Sequence, residues 1–154
     1  MALQLLRRLL TAGYPGSAAV RCLNSLCALR SRAGAVTVDL LELELQSGKA
    51  RLYKWGAAPS YLTGRLGTER IGMPGPPPGL SVTEQQEQQY KLSLSRGERL
   101  VLVSDGVGEE TALHCCSTMP DAPAEVLAQA LLRQGLLAGE DDATVVVVTL
   151  HEAD

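Results

Sequence analysis

Three features of this chain predict an α+β fold of mainly antiparallel sheets flanked by helices. Helical patterns open the chain and return over residues 122–137. Between them, strand-like runs follow one another without intervening helices, which argues against a doubly wound parallel sheet. The two most apolar runs, Leu100–Val103 and Ala143–Leu150, are too short and too β-branched for helices and read as strands buried on both faces.

In chain order, Leu3, Leu5, Leu6, Leu9 and Leu10 form the apolar stripe of a helix that breaks at Gly13 and Pro15. Ser17 suits the N-cap of a second helix running to about Arg30, with Val20, Leu23, Leu26 and Cys27 as its stripe. After a turn at Ser31–Gly34, residues 36–45 alternate as a half-exposed strand. Ser47 and Gly48 turn it into a second strand, Lys49–Trp55, making a hairpin. Residues 56–60 interrupt the sheet and Tyr61–Thr63 resume it. The proline-rich segment Gly72–Gly79 is a stiff connector, or a ligand for a proline-binding partner domain. Glu84–Leu94 leads into another strand, and Ser95–Glu98 turns tightly into the run that ends at Asp105. Glu109–Thr118 reads as a short irregular helix. Ala122–Leu137 is the clearest helix, with Val126, Leu127, Ala130, Leu131 and Leu132 apolar.

The 154 residues suffice for one domain, and a hydrophobic fraction of 45% excludes a disordered chain. With no Phe and Trp55 alone, the core must be built from Leu, Val and Ala. A formal charge of −3 leaves no basic footprint for nucleic acid. No apolar stretch approaches the roughly 20 residues of a membrane span. Cys22, Cys27, Cys115 and Cys116 match no zinc or redox spacing, and free thiols fit a reducing cytoplasm. Residues 1–38 hold five Arg and no Asp or Glu, as transit peptides do, but the break at Gly13–Gly16 and the lack of a cleavage junction argue against targeting.

The chemistry concentrates in two aspartates at the mouths of the apolar runs. Asp105 sits where the Leu100–Val103 strand leaves the core, and Gly106 lets the backbone turn behind it. Asp141 and Asp142 stand at the entry of the last strand. Carboxylates at one end of adjacent strands suit hard divalent cations, which take oxygen ligands. Either motif alone could be an ordinary acidic turn. Ser104 has no His partner, which disfavours a serine hydrolase. His114 and His151 lack ligand-like neighbours and read as surface residues, and Glu109 and Glu110 as a solvated turn.

Arg96–Glu109, containing Ser104-Asp105-Gly106, resembles the strand and metal-binding turn of PPM-type metal-dependent protein phosphatases. Asp141–Val148 is similar to that family's closing Asp-Asp/Asn-x-Thr motif. Residues 36–40 and 52–62 resemble the central hairpin of its SpoIIE class, a bacterial sporulation class, and residues 3–30 its leading helix pair. The resemblance implies an α-β-β-α sandwich holding two Mn²⁺ or Mg²⁺ ions. It implies direct hydrolysis of phosphoserine or phosphothreonine by a water activated between the ions. It makes Asp105 and Asp141 metal ligands, with Asp142, Gly106 and Asp39 as candidates for supporting contacts. Asp39 is alternatively a solvated or bonded strand residue.

The family also requires an earlier Asp-Gly motif, and no Asp precedes Asp39. The expectation is therefore a partial PPM-type domain over residues 1–154, weakly active or inactive alone. The alternative is a non-catalytic module that binds a regulatory phosphoprotein. The expected partner is a phosphorylated regulatory protein, with a homodimer contact through the N-terminal helices. The expected location is the cytoplasm, including the cytoplasmic part of a membrane-attached parent.

Overall fold

A computed structural model describes residues 2–29, 36–73, 88–138 and 142–151. The chain divides into two compact units. The first comprises Met1–Glu42, Arg51–Ala57 and Pro74–Lys91; the second comprises Leu43–Ala50, Ala58–Met73 and Leu92–Asp154. The described elements are helices and sheets of the α+β class, as the sequence predicts.

The first unit opens with α1 (Ala2–Thr11) and α2 (Gly16–Leu29), followed by β1 (Val38–Leu43) and most of β2 (Lys49–Trp55). With β5 (Gln88–Ser93) these strands form a three-stranded sheet in the order β1-β2-β5. Leu6, Ala19, Val20, Leu23, Val38 and Trp55 make its core, and Leu5, Leu9 and Leu10 pack against it. Four members of the expected α1 stripe, Leu5, Leu6, Leu9 and Leu10, thus face the core, whereas Leu3 is exposed. α2 does not use Ser17 as its cap. It begins one residue earlier, at Gly16, whose N–H donates to Glu42 Oε1 at 2.9 Å. A carboxylate from β1 satisfies an N-terminal donor and complements the helix dipole. Tyr53 holds the same carboxylate by donating its hydroxyl to Glu42 Oε2 at 3.0 Å. Cys22 is exposed and Cys27 is half-buried.

The second unit holds β3 (Ser60–Gly64), β4 (Gly67–Ile71), β6 (Arg99–Val103) and β7 (Val145–Val148), in the order β4-β3-β6-β7. The pairs β3–β4, β3–β6 and β6–β7 are all antiparallel. Helices α3 (Glu109–Thr118) and α4 (Ala124–Ala138) belong to the same unit. Tyr61, Val101, Val103, Val107, Ala112, Cys116, Leu127 and Leu131 form its core.

Four expectations change here. β4 was not foreseen, because Gly67–Ile71 is short and mostly polar. α3 is a regular ten-residue helix. On α4, Leu127 and Leu131 are buried while Val126 and Leu132 are exposed. β7 is shorter than residues 143–150 and lies last in the order among the described residues, with Val146 50% exposed. A four-valine run is equally compatible with a half-buried edge strand, which periodicity alone does not separate from a core strand. The Ser31–Gly34 turn and residues 74–87, which include most of the proline-rich segment, lie outside the described residues.

Candidate metal centre

β6 emerges from the core with Leu100, Val101 and Val103 buried. The Val107 N–H then donates to the Ser104 carbonyl at 3.0 Å, closing a turn with Asp105 and Gly106 at its centre. Val107 is 3% exposed and anchors the far side of the turn in the core. Asp105 itself is exposed, and its carboxylate has no hydrogen bond or ion pair among the described residues.

The antiparallel register fixes what lies opposite. Val103 pairs with Val145, so Ser104 falls beside Thr144 and the Asp105 turn beside the entry to β7. The Ser104 N–H donates to the Thr144 carbonyl at 2.9 Å, and the Thr144 N–H donates to Ser104 Oγ at 2.9 Å. Ser104 Oγ also donates a long bond, 3.4 Å, to the Asp142 carbonyl. The serine hydroxyl therefore fastens two strand ends together, and among the described residues no His bonds to it to make it a nucleophile.

Gly106 does not have the backbone role the sequence suggests. Its φ is not among the positive values that favour glycine. Its importance is close approach: a Cβ there would overlap the Asp142 carbonyl oxygen, and would lie 2.9 Å from that carbonyl carbon and 3.2 Å from Ala143 Cα. Gly135, near the C-terminal end of α4, acts likewise against the same turn. A Cβ there would come 3.0 Å from Val107 Cγ2 and 3.1 Å from the Gly106 carbonyl oxygen. Sequence reasoning missed Gly135, although a glycine inside a strong helix costs about 1 kcal/mol and so signals a packing requirement.

The structure thus brings the Asp105 turn against Asp142, which is exposed. Asp141 lies outside the described residues. Asp39 is in the first unit, where it meets Lys54 Nζ at 2.5 Å, with side-chain exposures of 17% and 1%. Burial dominates this pair. It pushes the Asp39 carboxyl up and the Lys54 amine down, against their mutual attraction. Glu109 makes an ion pair with Arg70 at 2.5 Å, in place of the solvated turn expected. His114 and His151 are exposed, as expected.

For a hard cation the donor type fits, since Asp105 offers oxygen ligands in a turn braced from two sides. The number does not suffice: among the described residues, no group of three or more His, Cys, Asp or Glu side chains could hold a metal ion. No helix among them is long and apolar enough to cross a membrane.

A PPM Ser-Thr phosphatase from Mycobacterium smegmatis, solved with cacodylate, superposes with a TM-score of 0.71 at 19% identity, covering 97% of this chain and 80% of that one. The fold is that of the PPM-type serine/threonine phosphatases. The phosphatase domain of the Bacillus subtilis cell-fate determinant SpoIIE, presoaked with Mn, matches with a TM-score of 0.68 at 22% identity, over 99% of this chain and 73% of that one. The family model for stage II sporulation protein E matches residues 1–151, and the chain belongs to that family. Stage II sporulation protein E of Bacillus subtilis is 25% identical over 162 residues, and the chain spans only a fifth of its length.

Proposed function

We propose that this chain supplies one side of the metal site of a protein serine/threonine phosphatase acting on a phosphorylated regulatory protein. The observation that carries the reading is the β6–β7 register, which sets the exposed Asp105 carboxylate beside the entry to β7. Asp105 and Asp141 are the proposed ligands of Mn²⁺ or Mg²⁺. When bound, the metal would supply positive charge to acidify a water and to offset charge on the phosphoryl oxygens. The chain's own residues hold that site in place. Ser104 and Thr144 lock the two strand ends, Gly106 and Gly135 permit the close approach, and Val107 plugs the turn into the core. No side-chain nucleophile is needed, in keeping with a Ser104 hydroxyl already used structurally.

With no Asp before Asp39 to supply the earlier Asp-Gly motif, turnover by these 154 residues alone is expected to be weak or absent. A second reading, a non-catalytic module that binds a regulatory phosphoprotein, is motivated by the lack of any Asp before Asp39. The test is Mn²⁺-dependent hydrolysis of an aryl phosphate by wild type and Asp105→Asn. Activity lost in the variant supports the phosphatase reading. Activity retained in the variant refutes the role of Asp105. No activity in either, with a phosphoprotein bound equally by both, supports the binding module.

A further inference from the structure

The Arg70–Glu109 pair is not used by the phosphatase reading, yet it adjoins the proposed site along the chain. Glu109 is the first residue of α3 and follows Asp105 by four positions. Arg70 grips it at two points: Nε donates to Oε1 at 2.5 Å and Nη2 donates to Oε2 at 3.3 Å. The remaining nitrogen, Nη1, donates to the Gly72 carbonyl at 2.6 Å, which ties the side chain back to the end of its own strand. A planar guanidinium engaged at all three nitrogens fixes the direction of its partner as well as supplying charge.

The sheet register explains how Arg70 reaches the helix. Arg70 pairs with Tyr61 on β3, and Tyr61 pairs with Val101 on β6. Directly opposed residues share a face of the sheet. Tyr61 and Val101 pack with Ala112, Cys115 and Cys116 of α3, so Arg70 lies on the α3 side. The start of α3 lacks the usual local restraint. Gly108 stands at its N-cap, and no side chain among the described residues caps it. The restraint comes instead from β4, 39 residues away. Val107 anchors the Asp105 turn in the core, and Glu109 anchors its exit to the outer strand.

We propose that Arg70 is a positioning residue for Asp105, acting through Glu109 and the three residues between them. This rests on the reading of Asp105 as a metal ligand. Arg70 acts on the backbone: it holds the helix start into which the Ser104–Val107 turn runs. A merely solvated ion pair makes the opposite prediction. Removing a positive charge near a carboxylate site strengthens its hold on a cation. Releasing the turn that carries the carboxylate weakens that hold. The direction of the change separates the two.

The test compares Arg70→Met, which keeps the aliphatic stem, with Arg65→Met. Arg65 pairs with Asp121 at 2.9 Å beyond the far end of α3, the same chemistry away from the turn. Mn²⁺ binding to the 154-residue chain is measured by titration calorimetry. The backbone amide resonances of Asp105, Gly106 and Val107 are recorded by NMR without metal. Arg70→Met should bind Mn²⁺ about tenfold more weakly, the lower end of what loss of supporting contacts costs a metal site. It should also displace the three resonances, while Arg65→Met changes neither. Both variants should melt within about 4 °C of wild type, since partly exposed ion pairs add little to global stability. A larger fall for Arg70→Met would make the pair a folding requirement and overturn the proposal. Unchanged or tighter Mn²⁺ binding by Arg70→Met would overturn it too, as would equal weakening by Arg65→Met. If Asp105→Asn leaves Mn²⁺ binding unaltered, the metal-ligand reading fails and the resonances alone decide the role of Arg70. Displacement in Arg70→Met but not in Arg65→Met then supports it, and no displacement refutes it.

Discussion

Replacing Gly106 with alanine tests whether the candidate metal centre depends on backbone approach between two strand ends. The new Cβ would lie 2.9 Å from the Asp142 carbonyl carbon and would overlap its oxygen. Carbon atoms pack at about 3.5–4.0 Å, so the Asp105 turn and the entry to β7 must separate by roughly 0.6–1 Å. The atoms met are backbone, which no rotamer change can move aside. Overpacking of this kind costs about 1–3 kcal/mol, which for a chain of this size lowers Tm by roughly 2–12 °C. The same displacement would carry Asp105 away from the end of β7 and weaken any Mn²⁺ held there, since misplacement by about 1 Å can cost about 10²-fold in rate. Thermal denaturation with and without Mn²⁺ measures both effects. A variant that melts like wild type and gains as much stability from Mn²⁺ would show that the contact with Asp142 does not organise the site.

Two further outcomes follow from buried ionisable groups. Lys54→Met should destabilise the first unit by about 3–5 kcal/mol, because it leaves Asp39 buried without its partner, whereas Asp39→Asn with Lys54→Met should recover most of that loss in a denaturant melt. Equal melts for the single and double variants would show that the pair is not coupled. Tyr61 is fully buried, its hydroxyl has no hydrogen-bond partner among the described residues, and burial pushes its pKa up to about 12. Its folded pKa lies above the unfolded value, so the unfolded chain releases this proton first. Stability should be unaffected by Tyr61 below pH 10 and should fall as pH rises from 10 to about 12. Titration of tyrosinate absorbance should show one of the four tyrosines ionising only near the top of that range, and a Tyr61→Phe chain should lose the late step.

What could be read from the sequence was local. The Leu100–Val103 run, the Asp-Gly turn behind it and the leucine stripe of α1 each declare themselves within a few residues. Contacts made across the chain did not. Glu42 displaces Ser17 as the partner of the α2 N-terminus although it lies 26 residues away, and no capping pattern encodes it. The buried Lys54–Asp39 pair spans 15 residues, so Asp39 could be read equally as a site residue or a bonded one. Gly106 was singled out for the wrong reason, because backbone freedom and close approach place the same residue in a sequence. Val146 was expected to be buried because a valine run looks alike in the middle of a sheet and at its edge.

The bonds between Ser104 and Thr144 join residues 40 apart. Closing so long a loop costs entropy before any contact repays it, and non-local strand pairing of this kind is slow. The Asp105 turn can form early from its own residues, but the arrangement beside β7 arises only when the second strand docks. It also disappears whenever that strand lifts away, well short of global unfolding. Amide exchange at Thr144 therefore reports how much of the time the centre exists at all, and a cation bound there would slow that exchange by holding the two ends together.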